Sequence, residues 1–204
     1  MAPLKDLHFS AIKGLRILIV GNIGSGKTAL TARLLDEAVA TIEPAKITII
    51  DMAPERQQFK GFTVGGSLTD YLKNGQDLRF LVPVQKLHPP RIEGHSSEEV
   101  LHLARTNATI IEELLKTFLR DPTPVLFAND VSMYLQAGDA STLLKTVAVA
   151  NTFVGNSYSG LTLADDHQSG LSERERSELA ALKSAMDKVL TLSPAGPSTE
   201  IISK

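Results

Sequence analysis

The sequence contains no cysteine, which removes disulfides, thiol nucleophiles and thiolate metal sites from consideration. It has no apolar run approaching the length of a membrane-spanning helix, so no membrane span is expected. The first ten residues are mixed and lack the apolar stretch of a secretory leader, which points to a cytoplasmic setting. Charge of one sign is scarce too: 21 Lys and Arg against 23 Asp and Glu leave a net charge of −2. That balance argues against a monomer coating nucleic acid with one broad basic face, though not against a ring whose local loops reach a phosphate backbone. Internal repeats and low-complexity tracts are also missing.

What remains is a chain of 204 residues, 43% hydrophobic and 22% charged, in the range of a soluble globular protein. The length suits a single domain over 1–204, with a lead-in arm at 1–13 and a tail at 193–204, able to bury a sheet with helices on both faces.

The most informative stretch is Leu15-Arg16-Ile17-Leu18-Ile19-Val20 followed by Gly21-Asn22-Ile23-Gly24-Ser25-Gly26-Lys27-Thr28: an apolar strand pattern, then G-x-x-x-x-G-K-T, then a helical pattern from Ala29 onward. A triphosphate needs backbone N–H groups at close range, and glycines let the main chain wrap that tightly. Residues Gly21, Asn22, Ile23, Gly24, Ser25, Gly26, Lys27, Thr28 and Ala29 are therefore the expected nucleotide cradle. Lys27 is expected at the β- and γ-phosphates, and the Thr28 hydroxyl on Mg²⁺. ATP and Mg²⁺ are the cofactors this implies.

Along the chain, strands are predicted at 15–20, 46–51, 78–84, 124–128, 161–164 and 188–192. Helices are predicted at 28–41, from a Ser96 cap to about 118, at 140–153, and from a Ser172-x-x-Glu175 capping box to about 186. A short helical piece is expected at 68–73 and a helical turn at 131–136. Strands alternating with helices imply an α/β fold: a three-layer P-loop NTPase with a mostly parallel central sheet. Asp51 closes the second strand with Glu55 four residues on. Carboxylates at the C-terminal ends of parallel strands face the ligand crevice, so both are catalytic candidates, or else loop acids that cap a turn.

A P-loop leaves the reaction open. Neither D-x-x-G nor N-K-x-D, the marks of regulatory GTPases, is found at Asp130-Val131-Ser132-Met133 or Thr162-Leu163-Ala164-Asp165. ATPases with an additional strand between the P-loop strand and the Mg²⁺ strand end the latter in Asp-Glu. Here Val125-Leu126-Phe127-Ala128 runs into Asn129-Asp130, which permits two registers. Either Asn129 takes the metal position and Asp130 the catalytic-acid position, or Asp130 is the Mg²⁺ partner and the apolar Val131 follows. The site residues expected are thus Lys27, Asp130, Glu55 and Asp51 for catalysis, and Thr28, Asn129 and Asp130 for the metal.

With those motifs in view, the chain resembles the FtsK–HerA superfamily of RecA-like P-loop ATPases, which includes the genome-packaging ATPases of tailless icosahedral viruses. Ile49-Ile50-Asp51-Met52-Ala53-Pro54-Glu55 is similar to their i-i-D-x-x-G-E, with Pro54 for the glycine. Asn129-Asp130-Val131-Ser132-Met133-Tyr134-Leu135 is similar to their D-E-A-h-x-h-L, which favours the first register. Their following G-R-x-x-G turn and polar sensor look like 151–168, without the arginine and with Asp165 nearest the sensor position. The resemblance implies a Mg-dependent ATPase, a ring-forming homo-oligomeric motor that translocates or packages double-stranded DNA. The alternatives are a nucleotide-gated switch with weak hydrolysis and a P-loop small-molecule kinase. The long loop Gln85 to His95, with Lys86 and Arg91, is the expected DNA contact. Arg105, Arg120, Arg174 and Arg176 are open as arginine fingers or solvated helix charges. The histidines His8, His88, His95, His102 and His167 are scattered.

Overall fold

The computed structural model describes residues 7–72, 77–193 and 201–203. Six parallel strands form the sheet's body: β1 (Arg16–Gly21), β2 (Ile47–Asp51), β5 (Arg79–Leu81), β6 (Val125–Asn129), β7 (Thr152–Tyr158) and β8 (Lys188–Leu192). A seventh, β9 (Ile201–Ser203), lies antiparallel to β8, and the order is β5-β2-β6-β7-β1-β8-β9. A two-stranded hairpin, β3 (Gln57–Phe59) and β4 (Phe62–Val64), stands apart from it.

Alternation within the central strands produces the three layers. In β1, Ile17 and Ile19 face one core while Leu18 and Val20 face the other, and in β6 Phe127 and Leu126 divide in the same way. The first core is closed by α1 (Lys27–Val39) through Leu34, Leu35 and Ala38. The lead-in also belongs to it: Phe9 and Ile12 are buried, and the Phe9 ring stacks on Phe127 at 6.1 Å between centroids. On the other face lie α3 (Ser97–Arg120), α4 (Ser132–Leu135), α5 (Ala140–Val149) and α6 (Leu171–Ser184). Here α3 contributes Ile111, Leu115 and Phe118, and α6 contributes Leu179 and Leu182. The Ser96 cap is as expected, its hydroxyl accepting the Glu99 N–H at 3.2 Å, while Glu99 reaches back to His95 N–H at 2.8 Å.

Several elements differ from expectation, and the strand expected at 78–84 spans only Arg79–Leu81. The helix predicted to 153 ends at Val149, and Asn151 and Thr152 donate their N–H groups to Pro124 O, drawing the chain into β7. The strand predicted at 161–164 is a turn with Leu161 80% exposed, and β7 takes its place in the sheet. The capping box at Ser172 is not used. α6 is entered through Gly170 at φ 74°, Ser172 N–H is held by Asp166 at 2.8 Å, and Glu175 turns inward. The hairpin went unpredicted, although Lys60 and Gly61, both at positive φ between Phe59 and Phe62, form the two-residue turn that suits a tight hairpin. The helical piece at 68–73 is a single 3₁₀ turn, Leu68–Asp70; Lys73 falls outside the described residues. The loop after β5 contains a further short helix, α2 (Pro90–Glu93), tied to α3 by the Asn107 side chain, which bonds both N–H and C=O of His88.

Candidate nucleotide site

Gly21 ends β1 between Tyr158 and Leu192, and a Cβ there would meet Leu192 O and Ser25 Oγ at 2.6 Å. Only glycine fits. Gly24 and Gly26 take φ values of 69° and 85°, turning successive N–H groups toward one concavity before α1 begins at Lys27. The Lys27 ammonium folds back onto Asn22 O at 2.7 Å. Burial lowers its pKa to about 8, against the opposing pull of Asp130. Ser25 Oγ is buried without a hydrogen-bond partner. The curled glycine loop, a cation with only a carbonyl for company and an orphaned hydroxyl are together what a bound phosphate group would satisfy.

The loop opens on a cleft of about 410 Å³ whose far wall is built by the ends of β2, β6 and β7. Asp51 and Asn129 are register partners at two of those ends, and their side chains bond each other. Asn129 Nδ2 donates to Asp51 Oδ1 at 2.7 Å and to Gly66 O at 3.2 Å. The other Asp51 oxygen accepts Ser67 Oγ–H at 2.6 Å and Leu68 N–H at 2.8 Å. Asp51 is 3% exposed, and its contacts pin the segment after the hairpin.

Asp130 is different. It lies at φ 53°, a left-handed conformation uncommon for a residue with a side chain, and its N–H is fixed by Asn156 Oδ1 at 3.0 Å. Its carboxylate accepts a hydrogen bond from Ser132 Oγ–H and lines the cleft with Lys27. Burial raises its pKa, while Ser132, Lys27 and Arg91 pull the other way. The strained turn thus aims a carboxylate at the P-loop lysine.

Of the expected catalytic set, Lys27 and Asp130 come together. Asp51 sits behind Asn129. Glu55 has a side chain 78% exposed, 4.0 Å from the Lys86 ammonium. Of the expected metal set, Thr28, Asn129 and Asp130 all line the cleft, but Asn129 is buried with both amide hydrogens engaged and its Oδ1 bonded by Asn156. Among the described residues no three His, Asp or Glu side chains converge on a point. The oxygen donors of Thr28 and Asp130 would fit a Mg²⁺ ion shared with nucleotide phosphates.

Asn156 is a site residue that no local pattern marks. It sits in β7, between β6 and β1, and its amide donates to Asn129 Oδ1 at 2.9 Å and Thr31 Oγ1 at 3.0 Å. Asp165, expected nearest the sensor position, bonds His167 N–H within an exposed loop. Arg91 is a second correction. Rather than reaching solvent with Lys86, it is 8% exposed and paired with Glu175 at 2.7 Å, so it offers no contact to a duplex. Lys86 itself stands between Glu55 and Glu93. Of the four arginines left open, Arg174 donates to Gly138 O at 2.8 Å and Arg120 lies 3.8 Å from Glu113, while Arg105 and Arg176 are exposed.

The β1–loop–α1 unit, with β7 interposed between β1 and β6, defines the three-layer P-loop NTPase fold. No family model and no curated protein matches the sequence. Among solved structures, the flagellar accessory protein FlaH from Methanocaldococcus jannaschii is similar over 94% of this chain and 79% of its own, with a TM-score of 0.53 and 11% identity. The VirB11 ATPase of the Brucella suis type IV secretion system, in complex with sulphate, matches over 96% of this chain with a TM-score of 0.48 and 18% identity. The chain spans half of that protein's length. Among the described residues no helix is long and apolar enough to cross a membrane.

Proposed function

We propose that the protein is a Mg-dependent ATPase. The observation that carries this is the placement of Asp130 across the cleft from Lys27, on the strand beyond β7, where a carboxylate can serve the metal or the attacking water at the γ-phosphate. Lys27 neutralises charge on the β- and γ-phosphates, and the N–H groups of the loop and of the start of α1 hold the phosphate oxygens. Thr28 and Asp130 are the side chains that would hold Mg²⁺, which would supply charge neutralisation when bound with the nucleotide; Asn129 ties Asp51 to Asn156 behind them. Asp51 positions the wall, and Glu55 is a second acid, exposed beside Lys86.

The specific form of the proposal is a subunit of a homo-oligomeric ring that moves double-stranded DNA. It rests on the resemblance of Ile49 to Glu55 and Asn129 to Leu135 to the FtsK–HerA motifs. A second reading, an ATP-gated assembly switch with slow turnover, is favoured by the raised Asp130 pKa and by Val131 where a second acid would follow. Steady-state hydrolysis with and without Mg²⁺ and duplex DNA, on protein of measured oligomeric state, separates the readings. Metal-dependent turnover stimulated by DNA at low salt supports the motor. Tight ATP binding with negligible turnover supports the switch. Absence of nucleotide binding overturns both.

A further inference from the structure

Arg91 is one of the few buried charges on the cleft wall, and its neighbours are unusual. Nη2 meets Glu175 at 2.7 Å, Nη1 meets Ser172 Oγ at 3.4 Å, and the guanidinium lies 5.2 Å from the centroid of the Tyr158 ring. Tyr158 is the register partner of Gly21, the first glycine of the loop, and its N–H is held by Ser132, which also bonds Asp130. The fork carries five N–H donors, of which these hydrogen bonds use two.

Glu175 does not depend on Arg91 alone, because Gln136 Nε2 donates to the same carboxylate oxygen at 2.8 Å. The other Gln136 atom, Oε1, is buried at the cleft wall with no partner. The spare N–H groups of Arg91 are what an anionic group in the cleft could engage, whereas Gln136 Oε1 is an acceptor and calls for a donor.

We propose that Arg91 is a γ-phosphate ligand supplied by the same chain, restrained by Glu175 until a nucleoside triphosphate enters the cleft. It is the second cation of the site after Lys27. As a γ-phosphate ligand, Arg91 distinguishes ATP from ADP, which lacks that group. Competition between Glu175 and the γ-phosphate for one guanidinium ties the position of α6 to the nucleotide bound. Gln136 keeps Glu175 hydrogen-bonded when Arg91 turns away. Planar bidentate geometry suits arginine to both partners.

The inference rests on the nucleotide-site reading, and its test separates the two. The affinities of Mg-ADP and of a non-hydrolysable Mg-ATP analogue are measured by calorimetry for the wild type, Glu175→Gln and the double variant Arg91→Gln/Glu175→Gln. The double variant removes both charges together, so that neither is left buried alone. Glu175→Gln frees Arg91 and raises the preference for the triphosphate by about threefold to tenfold, whereas the double variant lowers it by about tenfold relative to wild type, with ADP affinity little changed in both. Should either variant shift both nucleotides equally or leave the ratio unmoved, Arg91 is a structural ion pair and the proposal is overturned. A wild-type protein that binds neither nucleotide overturns the P-loop reading itself, and this inference with it.

Discussion

Asp51 and Asp130 stand at the ends of neighbouring strands, separated laterally by one strand spacing, and do opposite things. Asp51 accepts hydrogen bonds from Asn129, Ala53, Ser67 and Leu68, a fully occupied carboxylate holding the chain between β2 and the 3₁₀ turn. Asp130 accepts from one side chain, Ser132, in a strained backbone conformation, and faces a lysine whose own charge is disfavoured by burial. A carboxylate with its lone pairs spent on the fold is a structural part, and one held under strain beside an unpaired cation is available for chemistry.

Lys27→Ala should produce the largest effect. Removing the ammonium from the β- and γ-phosphates is expected to lower kcat/KM for ATP by about a hundredfold or more, with the far-ultraviolet circular dichroism unchanged and the melting temperature at neutral pH not lowered, since a disfavoured buried charge is removed. Asp51→Ala probes the other carboxylate. It strands Leu68 N–H, the Ser67 hydroxyl and one of the two Asn129 Nδ2 hydrogens, and should cost about 2–4 kcal/mol in urea denaturation.

A smaller effect concerns pH. Without ligand the Lys27 pKa is lowered from 10.5 to about 8, so its charged form weighs against the fold at pH below about 8. That penalty is relieved between pH 8 and 10.5, where the unfolded chain still binds the proton and the folded one does not, so this group makes stability rise with pH in that window. A bound triphosphate favours the ammonium and raises the pKa. Nucleotide binding above pH 8 should therefore take up protons and weaken as pH rises, which calorimetry in buffers of different ionisation enthalpy detects.

The P-loop was legible because its backbone geometry restricts residue choice: a Cβ at Gly21 has no room, and Gly24 and Gly26 sit at positive φ. The two-faced strands β1, β2 and β6 were legible as apolar runs for the same local reason. β7 was not, since Gly155, Asn156 and Ser157 read as turn residues. They are strand residues because a Cβ at 155 would strike the Phe153 ring and because the Asn156 amide is satisfied by Thr31 and Asn129, contacts made far along the chain. Arg91 and Glu175 are 84 residues apart, and no local pattern joins them. The resemblance motifs single out Asp51 and Asn129-Asp130 alike, and only the fold separates the aspartate whose carboxylate is bonded to the chain around it from the one that lines the cleft with Lys27.

If Asp130 acts on the nucleotide while Asp51 holds the wall, the single-turnover rate of Mg-ATP hydrolysis by Asp130→Asn reports it. The substitution keeps the side chain's size and removes its charge. It is expected to slow the chemical step by about a hundredfold while ATP affinity and melting temperature stay near wild type, the pattern of a group used mainly in the transition state. A folded Asp130→Asn protein that hydrolyses bound ATP at the wild-type rate would contradict the account.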